Sequence, residues 1–269
     1  MIDKVAEELA VPKSRAKILI SKVDPNTGER KDQLQSDKPA TSTTSTDPLD
    51  TPAFTLRKFV YDREDDNDGE LEILSPGLLD LLKAVILDDP SQKLPKIHYT
   101  PYKSLVYNWD KLVNAMNEEP KGETDKQARE DLKVLLNTIL GGSGDVKLDR
   151  YFKTRATNKD QSTVTFESLW TIFPPGTLVY GKPFQGQDQV FLVGSFQDVP
   201  SATSPTLKGY SWSLQSWMYD WDGKKFKRSS VNLKFDAFNG TRLTTELPFY
   251  PLEHHSDFEG IKIKLIERG

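Results

Sequence analysis

A change of hydrophobic period limits what this chain can fold into. From Ser75 to Gly141 the apolar residues recur every three or four positions, as on one helix face; beyond about residue 160 they alternate every second position, as on one strand face. The expected fold is α+β: a largely antiparallel, curled sheet in the C-terminal half, with about three amphipathic helices from the N-terminal half packed on it.

The helix signals are local and specific. Ser75-Pro76 places a side-chain oxygen where free backbone N–H groups need one, and a proline where its missing N–H is harmless; Leu78, Leu81, Leu82, Val85 and Ile86 follow at helical spacing. Thr100-Pro101 repeats that grammar ahead of Tyr102, Leu105, Val106, Trp109, Leu112, Val113 and Met116, which predicts one helix of four turns. Thr124 with Gln127 reads as a capping box opening a third helix through Leu132, Leu135, Leu136 and Ile139, which stops at Gly141. The Gly-Gly-Ser-Gly run at 141–144 reads as a flexible break.

Upstream, Ala16 to Val23 and Phe54 to Tyr61 read as strands. Between them lies a flexible Ser/Thr/Pro-rich loop over 31–53; residues 36–52 hold 3 Ser, 5 Thr and 3 Pro, so they bury too little to offset ordering entropy. The loop is expected to join two neighbouring strands. One domain over 14–269 follows, preceded by an N-terminal extension at 1–13. Downstream, a helical turn is expected at Phe166 to Ile172 and a type II turn at Pro174-Pro175-Gly176. Strands are predicted at Thr177–Tyr180, Gln189–Phe196, Tyr210–Trp221, Ser230–Phe238, Arg242–Leu247 and Ile261–Ile266. Hairpins are expected at Asp222-Gly223 and Asn239-Gly240, and the Gln189 strand should be central because both its faces are apolar.

Composition narrows the chemistry. Lys plus Arg is 36 against 40 Asp plus Glu, a formal charge of -4, so no overall positive field draws nucleic acid or an anionic membrane. Zero Cys removes a disulfide framework, a thiolate metal site and a thiol nucleophile, and points to an intracellular setting, cytoplasm or nucleus. Gly176 to Lys182 imitates a phosphate loop, but Pro183 stands where Ser or Thr must follow, and the run is β-branched with no helix after it. Glu64, Asp66, Asp68 and Gly69 imitate a calcium loop that lacks its closing Glu, since Ser75 occupies that position. His98, His254 and His255 are the only histidines, and the adjacent pair points apart on an extended chain. These observations lead to no catalytic residue, metal ligand or cofactor site.

The aromatic density from Tyr210 to Phe226 is the best hint of a binding surface. Trp217, Tyr219 and Trp221 share one strand face; Trp212, Leu214 and Met218 share the other. One set is expected to be core and the other either to pack under a helix or to form a recognition patch; the Trp217, Tyr219, Trp221 row is the candidate partner contact.

Six segments in order, ELEILSPGLLDLL, YTPYKSLVYNWDKL, TFESLWTIFPPGTLVYG, YDWDGKKF, LPFYPLEHH and a final IERG, resemble a fungal N-terminal domain of unknown function that precedes an AAA+ ATPase module. The resemblance covers roughly residues 14–269, and Arg268-Gly269 resembles the point where that chain continues toward its ATPase. It implies a non-catalytic domain that recruits a protein substrate or adaptor for the C-terminal AAA+ module, with ATP and Mg belonging to that module and no cofactor in this chain. No nucleic acid or membrane partner is implied. Two alternatives stand beside it: a small-molecule or sugar-processing enzyme using paired carboxylates among Asp220, Asp222, Asp236 and Glu246, and a small-ligand-binding β-barrel.

Overall fold

A computed structural model describes residues 15–23, 27–35, 51–61, 67–88, 92–194, 200, 210–221 and 223–268. The fold is α+β, with mostly antiparallel sheets. The sequence reads as one domain over 14–269; the contacts within the chain divide it into two compact units, residues 1–149 and 150–269. The N-terminal extension at 1–13 lies outside the described residues.

The first unit is built on five strands: β1 (Ala16–Val23), β2 (Arg30–Leu34), β3 (Phe54–Val60), β4 (Asp68–Ile73) and β5 (Ile97–Tyr99). Their spatial order is β2-β1-β3-β4-β5, and only β1 and β3 run parallel. The two strands read from the sequence, β1 and β3, are neighbours, but the strand that immediately precedes the Ser/Thr/Pro-rich segment is β2, which pairs with β1 and not with β3. Residues 36–50 of the expected loop are outside the described residues, but its start at 31–34 is part of β2, paired residue for residue with β1. On one sheet face Phe54 and Leu56 stand opposite Ile73 and Leu71, all essentially inaccessible.

The helices of this unit are α1 (Pro76–Ile86), α2 (Lys103–Tyr107), α3 (Trp109–Asn117), α4 (Glu123–Leu140) and α5 (Val146–Asp160), the last running on into the second unit. Helix α1 opens as its sequence demands, with the Ser75 hydroxyl accepting from Leu78 N–H and Pro76 in the first turn. It packs on β4, on α3 and on α4, while α4 also meets β1. These helices thus have a sheet of their own to cover. The Arg15 guanidinium donates to Asp131 on α4 at 2.9 Å, tying the start of β1 to the helix layer.

Three local expectations change. The stripe from Tyr102 to Met116 is kept but broken at Asn108, whose side-chain amide donates to the Ser104 carbonyl and leaves α2 and α3 as separate helices. Thr124 lies inside α4, whose N-cap is Gly122; Asp125 instead accepts from Lys121 N–H. The Gly-Gly-Ser-Gly run is tightly held: Ser143 is fully buried, its carbonyl accepts from the Tyr102 hydroxyl and its N–H donates to Asp149.

The second unit contains β6 (Thr163–Thr165), a 3-10 turn over Phe166–Ile172, β7 (Leu178–Gly181), β8 (Gln189–Val193), β9 (Ser211–Trp221), β10 (Phe226–Asp236), β11 (Thr241–Leu243), β12 (Phe249–Pro251) and α6 (Phe258–Arg268). An antiparallel sheet has the order β10-β9-β8-β7-β12, and β6 pairs separately with β11. This sheet is open. Gly176 takes φ +86 and Thr177 N–H donates to the Pro174 carbonyl, the type II turn expected there. The hairpin expected at Asp222-Gly223 falls partly outside the described residues, which omit Asp222; Trp221 pairs with Phe226, so four residues separate β9 from β10. Asn239-Gly240 is no hairpin, because β11 pairs with β6.

The largest correction is at the C terminus. Ile261 to Ile266 is not a strand but part of α6. Its Ile-Lys-Ile-Lys-Leu alternation also fits a helical stripe, Phe258, Ile261 and Leu265, and Asp257 caps the helix by accepting from Gly260 N–H. That stripe meets Tyr180, Val190, Tyr250 and Leu252 in one apolar cluster.

Candidate functional site

The site follows from the pleat of the second sheet. Register fixes which side chains share a face: Leu178 is opposite Leu192, Leu192 opposite Trp217, and Trp217 opposite Ser230. The inner face therefore carries Val179, Phe191, Val193, Trp212, Leu214, Leu233 and Phe235, all buried. Phe173 closes on them with its ring 6.1 Å from Trp212 and 5.4 Å from Phe235. Gly181 is required here: a Cβ would collide with the ring of Phe249, its neighbour across the pair.

The outer face is covered over only half its extent. Tyr180, 5% exposed, lies with Val190 and Tyr250 beneath Ile261, Phe258 and Leu265 of α6. Helix α6 is pinned there by Asp188, which accepts from the Tyr180 hydroxyl at 2.6 Å and is flanked by Lys264 Nζ at 2.5 Å and Lys182 Nζ at 3.0 Å. Lys264 first, then the Tyr180 hydroxyl and Lys182, hold the Asp188 carboxyl well below the usual carboxylate range. The constellation resembles an acid/base site in residue type. Its carboxylate, however, is already engaged by two cations and a hydroxyl, an arrangement that fastens a helix.

The other half of the outer face holds the aromatic row. Tyr219 is 67% exposed and Trp221 53%, while Trp217 is half-buried. The Trp217 and Tyr219 rings meet edge-on at 5.3 Å. Trp221 lies 5.1 Å from the ring of Phe226, itself 57% exposed on β10. Arg228 spreads its guanidinium over Trp217 at 4.1 Å. The exposed Leu178 and half-buried Leu192 extend the apolar surface across β7 and β8. Phe226 and Arg228 were not singled out from the sequence, although strand parity across the Asp222-Gly223 turn was signal enough to put both on the Trp217 face.

Of the alternative carboxylates, Asp220 and Asp236 do not form a pair. Asp220, Asp236 and Glu246 are exposed, and Asp222 is outside the described residues. Asp220 pairs with Lys227, whereas Asp236 pairs with Ser211, nine positions away on β9 and so about 30 Å distant along the strand. The β-barrel alternative meets an open sheet with β10 and β12 at its edges. Among the described residues no group of three or more His, Asp or Glu is placed to hold a metal ion, and no helix is long and apolar enough to cross a membrane.

The described residues of the second unit thus form an open antiparallel sheet whose outer face carries α6 over one part and exposed aromatic rings on another. Residues 154–256, which hold the whole aromatic row, match the family model of a domain of unknown function (DUF7025). No curated protein and no solved structure matches the chain.

Proposed function

We propose that this chain is a non-catalytic interaction domain that recruits a protein substrate or adaptor through the open half of the second sheet's outer face. The observation that carries this reading is the solvent-facing cluster of Tyr219, Trp221 and Phe226 beside half-buried Trp217, on strands whose opposite face is already a complete core. These rings pack on one another yet keep much of their surface in water, and aromatic residues with arginine are the side chains on which protein interfaces concentrate their energy. In its finer form the reading follows the resemblance of the ordered segments: the domain delivers its partner to an AAA+ ATPase module in an intracellular compartment of a fungus, and ATP and Mg belong to that module. The AAA+ pairing is an analogy between domain arrangements.

The test compares proteins recovered from a fungal lysate by the chain and by its Tyr219→Ala, Trp221→Ala form, with both shown to unfold at the same temperature. Loss of specific partners with the double substitution is expected. Equal recovery by both forms would remove the aromatic row from the proposal, and substrate turnover abolished by one side-chain change would remove its non-catalytic character.

A further inference from the structure

The open end of the sheet order lies next to the aromatic row. Strand β10 is the last strand beyond β9, and among the described residues no strand pairs with its other side. It is eleven residues long, about 37 Å of edge, much longer than the protected edges that soluble proteins usually present. Its own sequence carries Lys227, Arg228 and Lys234 against Asp236; Lys227 stands opposite Asp220 on β9, and Lys234 lies 3.5 Å from Asp236. Lys224 and Lys225 add exposed positive charge in the adjoining turn, within a chain of net charge -4.

Lysines on an edge strand deter unwanted pairing, yet they select whatever strand carries the opposite charge. We infer that β10 accepts an acidic, extended segment of another protein as an added strand, with an apolar side chain of that segment completing the Trp221 and Phe226 cluster. The inference rests on the interaction reading above and names its partner's chemistry.

The register of β10 specifies the pattern. Phe226, Arg228 and Lys234 share the outer face, so a strand beside them should carry a bulky apolar residue opposite Phe226 and acidic residues opposite Arg228 and Lys234. A segment running parallel to β10 reads apolar, then acidic two positions on, then acidic six beyond that; an antiparallel segment reads the reverse. Backbone hydrogen bonds along the edge would supply affinity, and these alternate side chains selection. A second copy of β10 fits less well, since each copy brings three cations and one anion to the shared edge. Single-stranded nucleic acid fits less well too, because the chain as a whole is negatively charged and the Arg228 guanidinium beside the rings already lies over Trp217.

The experiment uses the full chain and fluorescein-labelled twelve-residue peptides bearing one Leu and two Glu at this spacing in either direction. The comparators are the same peptides with alternate backbone nitrogens methylated, the same peptides with Lys in place of Glu, and oligouridine. Anisotropy should show binding of one Glu peptide, weakened at least about tenfold by methylation. Arg228→Glu with Lys234→Glu should abolish that binding and transfer it to the Lys peptide, a gain that misfolding cannot produce. Binding indifferent to methylation would place any peptide on the aromatic row alone and overturn strand addition, leaving the interaction reading to its own test. Failure of both Glu peptides, preference for oligouridine, or a dimer in light scattering that Lys234→Glu disrupts would each overturn it as well.

Discussion

The guanidinium of Arg228 lies over Trp217, 4.1 Å from the ring centroid, on neighbouring strands of the β9–β10 hairpin. The contact places a cation directly beside the aromatic row. It also holds the partly exposed Trp217 ring in the orientation that meets Tyr219 edge-on. An exposed cation–π pair contributes about 0.5–1 kcal/mol. Arg228→Ala should therefore lower stability by no more than about that amount, while Arg228→Lys keeps part of it. Urea unfolding measures both; a loss of several kcal/mol would mean that Arg228 holds something other than the ring.

The two tryptophan sets of β9 should differ sharply. Trp212 is buried against Phe173 and Phe235, so Trp212→Ala should cost about 3–5 kcal/mol. Trp221→Ala removes a ring that is half in water and should stay within about 1 kcal/mol of the parent. Equilibrium denaturation of the pair decides whether the face assignment is right.

The carboxylate of Asp188 makes acid stability a readout of how α6 is fastened. Lys264, the Tyr180 hydroxyl and Lys182 lower its pKa in the folded chain. Its contribution is thus complete above the ordinary carboxylate value of about 3.9 and declines as pH falls below it toward the folded value. Thermal unfolding from pH 6 to pH 3 should fall more steeply for the parent than for Asp188→Asn. Added salt should narrow the gap, because both lysines are more than half exposed. Identical pH profiles would contradict the role given to Asp188.

His98 gives the opposite protonation case with the same direction in pH. Burial beneath the β5 edge lowers its pKa, so the folded chain holds a neutral imidazole. As pH drops through about 6.5 the unfolded chain binds a proton that the folded chain refuses, and stability declines until the folded value is reached. His98→Gln should remove that component of the decline between pH 7 and 5, as read by urea midpoints.

Gly69 tests the ordered 141–144 turn. A Cβ there would sit 2.7 Å from the Ser143 carbonyl oxygen and against the Tyr102 hydroxyl that donates to it. Gly69→Ala should cost about 1–3 kcal/mol by overpacking. Faster amide exchange at Ser143 should accompany it; unchanged exchange and stability would mean that the turn yields freely.

Local chemistry was legible in the sequence wherever one side chain and its near neighbours decide the outcome. The Ser75-Pro76 cap, the Gly176 turn, the buried stripe of α4 and the two-faced strand around Trp217 all follow from spacing over a few residues. The row Trp217, Tyr219, Trp221 was legible as sharing a face for the same reason. That its outer members are the ones in water was not, since parity separates two faces without saying which is core. Residues 261–266 failed because Ile-Lys-Ile-Lys-Leu satisfies both periods. The apolar surface of Tyr180, Val190 and Tyr250, gathered from three strands by the sheet, selected the helix.

By itself, then, the sequence determined the α+β class, most element positions and the absence of thiol chemistry, because backbone propensity, capping and alternation act over a handful of neighbouring residues. Tertiary structure alone decided that the helices of the first unit cover a sheet of their own, that α6 roofs part of the second sheet's outer face, and that β10 stands last in that sheet among the described residues. Each of those depends on which distant apolar surfaces meet, and a meeting of that kind leaves no fixed spacing in the chain.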